Sequence, residues 1–501
     1  MNQLKIGAIL NYIVIFLNTF VGLLYTPYML KMMGQSEYGL YSLVASVIGY
    51  LTVLDLGLGN AIVRYTAKLR AEGNVKEQYE MFGMFFILYL ILSIIALIGG
   101  LYLYYNINFM FGDTMTVVEL EHARTMMLIL VFNLVFTFPM SIFGSIITAY
   151  ERFVFPKVVN IVRVLLNTLI MIVLLHMGYK ATAMVVLQTI FNVISLLLNF
   201  WYCKRSLHIE MHFIKFKLDF LREVAIYSFW IFLNVIMDKI YWSSGQFILG
   251  TVSGTIAISI FAVAIQLQGM YMQFSTAISS VFLPKVTGMV ALNNSNKDIS
   301  DLFIRTGRIQ NIVMSIILFG FIVFGKSFVL LWAGHEYIDS YPITVLFFIS
   351  LYVPLIQNLG ITILQARNQM KFRSVLYIII ASIALILQYY LAKKWGGFGC
   401  AIAISAALLL GQGLILNIYY EIVQKLEIVK FWKEILRMNI IPLLISFVSL
   451  SILYFVKLSS WLHLVVAIFV YVLVYCPLYY KYSMNDSERK LIANPFKSFF
   501  R

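Results

Sequence analysis

Fourteen hydrophobic segments follow one another along the chain, and short polar connections separate them. A helix needs roughly 20 consecutive apolar residues to span a bilayer, so each segment predicts one membrane crossing. The segments are 8–30, 38–63, 80–104, 120–148, 157–177, 181–203, 222–244, 254–284, 305–332, 341–366, 373–392, 398–420, 436–456 and 461–480. The pattern predicts an all-α integral membrane protein with about 14 transmembrane helices.

Positive charge gathers in every second connection. Of the 37 Lys and Arg residues, 29 lie on the same side as the N-terminus, which we call side A. The opposite side, side B, holds seven: Lys31, Arg124, Lys180, Lys326, Lys393, Lys394 and Lys457. By the positive-inside rule side A is cytoplasmic. We therefore expect a multi-pass protein with both termini in the cytoplasm.

Composition supports a membrane protein and argues against other classes. The chain is 61% hydrophobic and 12% charged, too few polar groups to cover a soluble particle of this size. Its net charge of +15 lies in short clusters beside helix ends, where topology and anionic lipids account for it, so no nucleic-acid partner is expected. The three cysteines have no C-x-x-C spacing, and we expect no disulfide framework, metal or cofactor.

A weak internal repeat has an offset of about 217 residues. The connection Ala149–Lys157 corresponds to Ala366–Ser374, and Gly178–Ala183 corresponds to Gly396–Ala401. Six crossings per copy is an even number, so both copies enter from the same side and are related by an axis along the membrane normal. The repeat predicts two six-helix lobes in a parallel pseudo-twofold arrangement. Their ranges are 1–210 and 211–425, followed by two helices and a cytoplasmic tail in 426–501.

Two motifs near the N-terminus carry a family resemblance. They are Gly34-Gln-Ser-Glu-Tyr-Gly39 and Asp55-Leu-Gly-Leu-Gly-Asn-Ala-Ile-Val-Arg64. They resemble the G-x-x-x-Y-G and D-x-G-x-x-x-A-x-x-R signatures of the polysaccharide transporter family, the Wzx-type O-antigen flippases of the multidrug/oligosaccharidyl-lipid/polysaccharide exporter superfamily. The second-lobe counterpart, Ser253–Ile260, lacks the Tyr-Gly-x-Tyr of the first lobe.

The resemblance implies a fold and a function. It implies two lobes around a central cavity that work by alternating access. The implied substrate is an undecaprenyl-diphosphate-linked oligosaccharide, such as an O-antigen repeat unit of lipopolysaccharide, moved from the inner to the outer leaflet of a bacterial inner membrane. Glycan polymerases or ligases are the expected partners, and a monomer is expected because two lobes could enclose their own path.

Polar residues inside two helices of the first lobe fall on single faces. One stripe is Asn160, Arg163 and Asn167, and the other is Gln188, Asn192, Ser195 and Asn199. Helical spacing puts each stripe on one side, where it can line a wet cavity that holds a sugar headgroup. The alternative is hydrogen bonding between neighbouring helices, worth about 0.6 kcal/mol for each bond. We take Asn160, Asn167, Gln188, Asn192 and Asn199 as candidate substrate ligands.

Charges within the membrane cost about 2.5 to 3.5 kcal/mol at mid-bilayer, so they point to function. A diphosphate needs cations in its path, and arginine binds phosphate oxygens in pairs. Arg163, about 9 Å in from Lys157, is the first candidate, followed by Lys239 and Arg124. Alternatively Arg163 reaches the cytoplasmic headgroups, Lys239 pairs with a carboxylate of another helix, and Arg124 anchors the side B end of its helix.

Asp55, Arg64 and Asp238 form a candidate gating or ion-coupling set. Asp55 lies about 14 Å from Arg64 along an ideal helix. Because Gly57 and Gly59 follow it, the helix can bend there and let the carboxylate accept backbone donors. We expect a structural lock or gate at Asp55, with a protonation site for ion coupling as the alternative.

Two rival functions are a multidrug exporter of the same superfamily and a membrane-embedded glycan polymerase or ligase. An exporter of apolar cations needs acidic and aromatic cavity residues, whereas these stripes are amide-rich and contain an arginine. An enzyme needs a general base or nucleophile, and the six histidines show no converging spacing. No G-x-x-x-x-G-K-[ST] motif occurs. We therefore expect a transporter and not an enzyme.

Overall fold

The computed structural model describes residues 3–213, 218–279, 286, 288–290, 292, 295–367, 369–456 and 458–490. Within these ranges the regular structure is helical, without a strand, which confirms the all-α prediction. The helices are α1 Gln3–Met33, α2 Gln35–Leu51, α3 Leu58–Ala71, α4 Val75–Tyr105, α5 Ile107–Phe111, α6 Val117–Ala149, α7 Val154–His176, α8 Ala181–Ser206, α9 Leu218–Trp242, α10 Ser244–Val252, α11 Gly254–Ser279, α12 Asn296–Trp332, α13 Ser340–Ile356, α14 Asn358–Ala366, α15 Met370–Leu408, α16 Leu416–Ile422, α17 Ile428–Phe455 and α18 Trp461–Tyr482.

Three shorter elements lie between these helices. They are two 3-10 turns, Thr52–Asp55 and His335–Tyr337, and a π-helix, Leu409–Ile415, between α15 and α16. Local capping explains several helix starts. At α6 the Thr116 side chain accepts from the Glu119 N–H while the Glu119 carboxylate accepts from the Thr116 N–H, a complete capping box. At α12 the Ser295 side chain accepts from the Asp298 N–H, a single N-cap bond.

The number of membrane crossings differs from the prediction. Among the described residues, eleven helical stretches are long and apolar enough to cross a membrane, or twelve if α13 and α14, bent by 40°, count as one span. The count of fourteen is therefore not confirmed. One reason is that Met370–Ile422 is a single stretch of 53 residues, although its backbone leaves helical geometry at Trp395 and Gly396. Another is that α9, at the seventh predicted segment, is helical but is not among these spans.

The chain divides into two compact units. The first contains Met1–Ala262 and Ala392–Gly397, and the second contains Val263–Leu391 and Phe398–Arg501. In the first unit α6 packs against α2, α3, α4 and α8, while α7 packs against α1 and α8. In the second unit α12 packs against α13 and against both C-terminal helices, α17 and α18. The division into lobes 1–210 and 211–425 with an appended 426–501 stays a prediction.

A break separates α2 from α3 inside the second hydrophobic segment. The 3-10 turn Thr52–Asp55 ends there, and Leu56 and Gly57 both have left-handed backbone, with φ of 53° and 72°. A left-handed leucine is costly, so surrounding contacts must hold it. Gly57 takes this conformation without a steric penalty. The bend expected from the glycines after Asp55 is present.

Candidate functional site

Two residues of the α8 stripe bond to neighbouring helices of the first unit. The Asn192 amide donates to Asn133 Oδ1 at 2.7 Å and to Thr137 Oγ1 at 2.8 Å, both on α6. Gln188 and the Tyr41 hydroxyl of α2 lie within hydrogen-bond distance, at 3.1 and 3.2 Å. All five side chains are half-buried. The stripe thus forms a polar network that joins α8 to α2 and α6, and its side chains remain partly exposed.

Arg163 lies on α7 and bonds to a neutral side chain. Its Nη2 donates to Asn160 Oδ1 at 2.9 Å, and both residues are half-buried. Within the described parts of the chain no carboxylate pairs with this guanidinium. Arg163 is nine residues into α7, so it lies about 14 Å from the start of that helix. Arg163 and Asn160 therefore form a cationic site, and no carboxylate among the described residues neutralises its charge.

Three other candidate residues each have a buried polar atom for which the described residues provide no hydrogen-bond partner. These atoms are Asn167 Oδ1 on α7, Asn199 Oδ1 on α8 and Arg124 Nε on α6. The rest of each side chain is half-buried. An unsatisfied buried polar atom costs about 1 to 3 kcal/mol. The two amide oxygens are acceptors of the kind to which sugar hydroxyls donate.

Asp55 is held at the break between α2 and α3. Its Oδ1 accepts from the Tyr89 hydroxyl at 2.9 Å, and its carboxylate also accepts from the Gly57 backbone. Asp55 forms no ion pair with any residue that the structure describes. Arg64, grouped with it from the sequence, is exposed on α3, with its guanidinium 5.7 Å from the centre of the Tyr65 ring. The structure therefore does not bring these two charges together.

Asp238 and Lys239 are adjacent on α9 and differ in their surroundings. Asp238 is exposed, whereas Lys239 is half-buried. The Lys239 ammonium lies 3.5 Å from the point where a side chain on Gly49 of α2 would begin. The ammonium therefore lies beside the α2 backbone at Gly49. The expected alternative, a carboxylate partner for Lys239, is not seen among the described residues.

A cavity of about 590 Å³ opens at the side B ends of α7 and α8 in the first unit. Its walls are mostly apolar and include Leu174, Val186 and Ile190. Glu37 and His122, 2.9 Å apart, lie at its edge together with Lys180. No group of three or more potential metal ligands occurs among the described His, Cys, Asp and Glu residues.

Sequence reasoning missed a polar cluster in the second unit. Asn417 Oδ1 accepts from Gln357 at 2.7 Å and from the Trp432 indole at 2.9 Å. Asn417 Nδ2 donates to the Gly413 carbonyl of the π-helix at 2.8 Å. Such π-helical turns are rare and frequent at functional sites. The one available signal was the pair Gly411 and Gly413 inside an apolar helix.

Comparisons of the sequence with known proteins find a matching family and distant relatives. A family model described as "Polysaccharide biosynthesis protein" matches residues 4–290. The "Uncharacterized membrane protein EpsK" of Bacillus subtilis (strain 168) is 20% identical over 498 residues, covering 96% of this chain and 95% of that protein. The "Putative O-antigen transporter" of Shigella flexneri is 21% identical over 406 residues, covering 77% of this chain and 90% of that protein.

Solved structures share the fold. The lipid II flippase MurJ, in an inward closed conformation, matches with a TM-score of 0.71 at 16% identity, over 95% of this chain and 99% of that one. An inward-facing multidrug resistance MATE family transporter of the MOP superfamily matches with a TM-score of 0.55 at 14% identity, over 80% and 99%. The fold of this chain is therefore the fold of these transporters, and the resemblance seen in its N-terminal motifs is confirmed.

Proposed function

Because the chain belongs to the polysaccharide biosynthesis protein family, whose model covers residues 4–290, we propose that it is a lipid-linked oligosaccharide flippase. The substrate is an undecaprenyl-diphosphate-linked oligosaccharide. It moves from the inner to the outer leaflet of a bacterial inner membrane by alternating access, with side A in the cytoplasm. The names of the O-antigen transporter relative and of the MurJ structure support this substrate class.

Arg163 is the observation that carries the proposal. A diphosphate brings about two negative charges into a medium of low dielectric constant, and the cost is large unless a cation compensates. Arg163 supplies a permanent cation whose neighbour, Asn160, is neutral. One of its five N–H donors bonds to Asn160, which leaves the others available to phosphate oxygens.

The remaining candidate residues take complementary roles in this proposal. The amide oxygens of Asn167 and Asn199, to which no described residue donates, accept bonds from sugar hydroxyls. Gln188 and Asn192 belong to the polar network that joins α8 to α2 and α6, and they bind the glycan as it passes. Arg124 and Lys239 provide further cations along the path of the diphosphate. Asp55, Arg64 and Asp238 take part in gating or ion coupling.

The test is translocation in proteoliposomes of a fluorescent undecaprenyl-diphosphate oligosaccharide, whose accessibility from each side is followed over time. Arg163→Ala should slow translocation by about tenfold or more. A tenfold change corresponds to losing about 1.4 kcal/mol of stabilisation in the rate-limiting state. Arg163→Lys should retain part of the rate, since it keeps the charge but loses the paired geometry. Arg152→Ala, an exposed arginine just before α7, is the matched control.

An unchanged rate in Arg163→Ala, with wild-type protein active, would remove Arg163 from the path. Wild-type protein that leaves the labelled lipid on one side would contradict the function itself. Recovery of the lipid-linked glycan with altered covalent structure would instead support a polymerase or ligase.

A multidrug exporter is the second candidate, because MATE structures share the fold. A lipophilic cation is the substrate that distinguishes an exporter from the proposed flippase, because the cationic Arg163 should repel it. Export of such a dye by proteoliposomes, unaffected by Arg163→Ala, would favour this alternative.

A further inference from the structure

Glu119 joins three helix starts on side B of the first compact unit. One of its carboxylate oxygens, Oε1, accepts from Ser36 at the start of α2 and, at 2.8 Å, from Thr255 at the start of α11. Its other oxygen accepts from the Thr116 N–H at 2.8 Å and the Thr116 hydroxyl at 2.9 Å. Both oxygens of this half-buried carboxylate are therefore occupied, and one of them bridges α2, α6 and α11.

The same place shows a close backbone approach. A side chain on Gly39 of α2 would collide with the backbone of Thr255, so only glycine fits there. Gly39 is the last residue of the motif Gly34-Gln-Ser-Glu-Tyr-Gly39, and Thr255 lies in the corresponding connection of the predicted second lobe. The two connections that the sequence repeat relates are thus in direct contact.

These contacts form an interface between α2 and α6 on one side and α11 on the other, which we call the seam. Contacts on the neighbouring helices extend it. The Thr114 hydroxyl donates to the Gly250 carbonyl of α10. A side chain on Gly250 would meet Leu43 of α2 at 2.8 Å and Phe111 of α5 at 3.0 Å. Deeper on α2, Ser46 is buried on the face that also carries Gly39 and Leu43. The seam therefore runs between α2, α5 and α6 on one side and α10 and α11 on the other.

We propose that the Glu119–Thr255 hydrogen bond, with Gly39 seated on the Thr255 backbone, is a latch that closes side B of the first unit and opens once in each transport cycle. The opening step rests on the flippase function proposed above. Alternating access requires a closed arrangement at one end that can be released. Hydroxyl-to-carboxylate bonds suit this purpose, because water can replace them when the seam parts.

Two substitutions that each remove one hydroxyl distinguish the loss of the latch from a general loss of contacts. Thr255→Val removes only the bond that crosses the seam and keeps the shape of the side chain. Ser36→Ala removes a bond to the same oxygen, but from α2, which lies on the α6 side of the seam. If the latch holds side B closed, Thr255→Val should open the seam and Ser36→Ala should not.

Opening is measured without substrate, by the rate at which a water-soluble maleimide modifies Ser46→Cys. Cys203, Cys400 and Cys476 are replaced by serine in every variant, because Cys476 is exposed. We expect Thr255→Val and Glu119→Ala to raise the rate about tenfold, the effect of losing a bond to a charged group. Ser36→Ala should stay within about twofold. Glu121→Ala, an exposed glutamate one half-turn further along α6, should leave the rate unchanged.

Gly39→Ala tests the backbone contact and should also raise the rate. Its control is Gly269→Ala, on the same helix as Thr255, where a side chain would meet nothing within 4 Å. The proposal fails if Thr255→Val and Ser36→Ala change the rate equally, or if neither Thr255→Val nor Gly39→Ala changes it. Circular dichroism of each variant, compared with wild type, identifies any that fail to fold.

A second measurement connects the latch to transport. The Ser36 and Thr255 hydroxyls lie at most about 5 Å apart, because both bond to the same oxygen. Cysteines at both positions, beside the Glu119 carboxylate, should bind Cd²⁺ and hold the seam closed. Cd²⁺ should then stop translocation in the double variant, reversibly with a chelator, but not in either single variant. Full translocation with Cd²⁺ bound overturns the opening step, whereas an inactive wild type with the expected maleimide rates contradicts only the flippase function.

Discussion

Arg308 binds both carboxylate oxygens of Glu488 in the interior of the second unit. The two bonds, Nε to Oε1 and Nη2 to Oε2, measure 2.6 and 2.9 Å. The same guanidinium contacts Glu434 of α17 at 3.0 Å and the Ser483 carbonyl at 3.3 Å. Arg308 is on α12 and Glu488 follows α18, so the cluster fixes the segment after α18 to the body of the unit.

Replacing Glu488 with alanine should destabilise the protein by about 3 to 5 kcal/mol, because it leaves a buried guanidinium without its main partner. The Glu488 side chain is 1% exposed, whereas that of Asp486, two residues earlier, is 88% exposed and bonds to Arg489 at 3.1 Å. Asp486→Ala is therefore the control and should cost under about 1 kcal/mol. The free energy of unfolding in detergent, titrated with denaturant, measures both, and equal costs would refute a structural role for the cluster.

Two glycines of α12 should respond oppositely to alanine. A side chain on Gly307 would collide with the Phe431 ring of α17 and would lie 3.0 Å from the Ile356 carbonyl. Gly307→Ala should cost about 1 to 3 kcal/mol through overpacking. At Gly320 a side chain meets nothing within 4 Å, so alanine there should be neutral or stabilise by up to about 1 kcal/mol. Thermal unfolding of the two variants in the same detergent gives the comparison. A stabilised Gly307→Ala would show that α12 and α17 are not this close.

A buried polar network attaches α18 to α12. Asn311 donates to the Tyr479 hydroxyl at 3.0 Å and to Asn439 Oδ1 at 3.3 Å, and it accepts from the Tyr352 hydroxyl. Removing one hydroxyl with Tyr479→Phe should cost about 0.6 kcal/mol and at most about 1.7 kcal/mol, the range measured within membranes. Tyr480→Phe, on the partly exposed side of α18, should have no effect. A double-mutant cycle with Asn311→Ala measures the coupling, and a coupling near zero would contradict the network.

The sequence predicted well what depends on local patterns. Hydrophobic runs predicted the helices, and the glycines after Asp55 predicted the break that the left-handed Leu56 and Gly57 produce. The motif ending at Gly39 was correctly singled out, but its reason, a backbone contact with Thr255 more than 200 residues away, depends on tertiary structure. Spacing along one helix carries no information about which distant residue will pack against it.

The same limit explains what the sequence did not predict. In the sequence, Arg308 is one of many side A charges, and nothing local distinguishes it from Arg305. Only the fold brings Glu434 and Glu488 to it. Likewise the stripe on α8 predicted a cavity lining, with hydrogen bonds to neighbouring helices as the alternative, and it did not identify Asn133 and Thr137 as the partners of Asn192. Helical periodicity identifies a face, and packing decides its partner.

The bond between Tyr89 and Asp55 should be worth about 1.5 to 3 kcal/mol if the carboxylate is a structural lock, because its acceptor is charged and half-buried. Tyr89→Phe removes this donor and also the hydrogen bond that the Tyr89 hydroxyl makes with Ser141. Tyr102→Phe, an exposed tyrosine on the same helix, is the control.

The free energy of unfolding is measured for Tyr89→Phe in the wild-type and Asp55→Leu backgrounds. A lock predicts a larger cost in the first than in the second, because Asp55→Leu has already removed the acceptor, whereas the bond with Ser141 is lost in both. Equal costs in both backgrounds would mean that Tyr89 stabilises α4 by some other contact. A negligible cost in both, with Asp55→Asn abolishing translocation, would exclude the lock and favour ion coupling at Asp55.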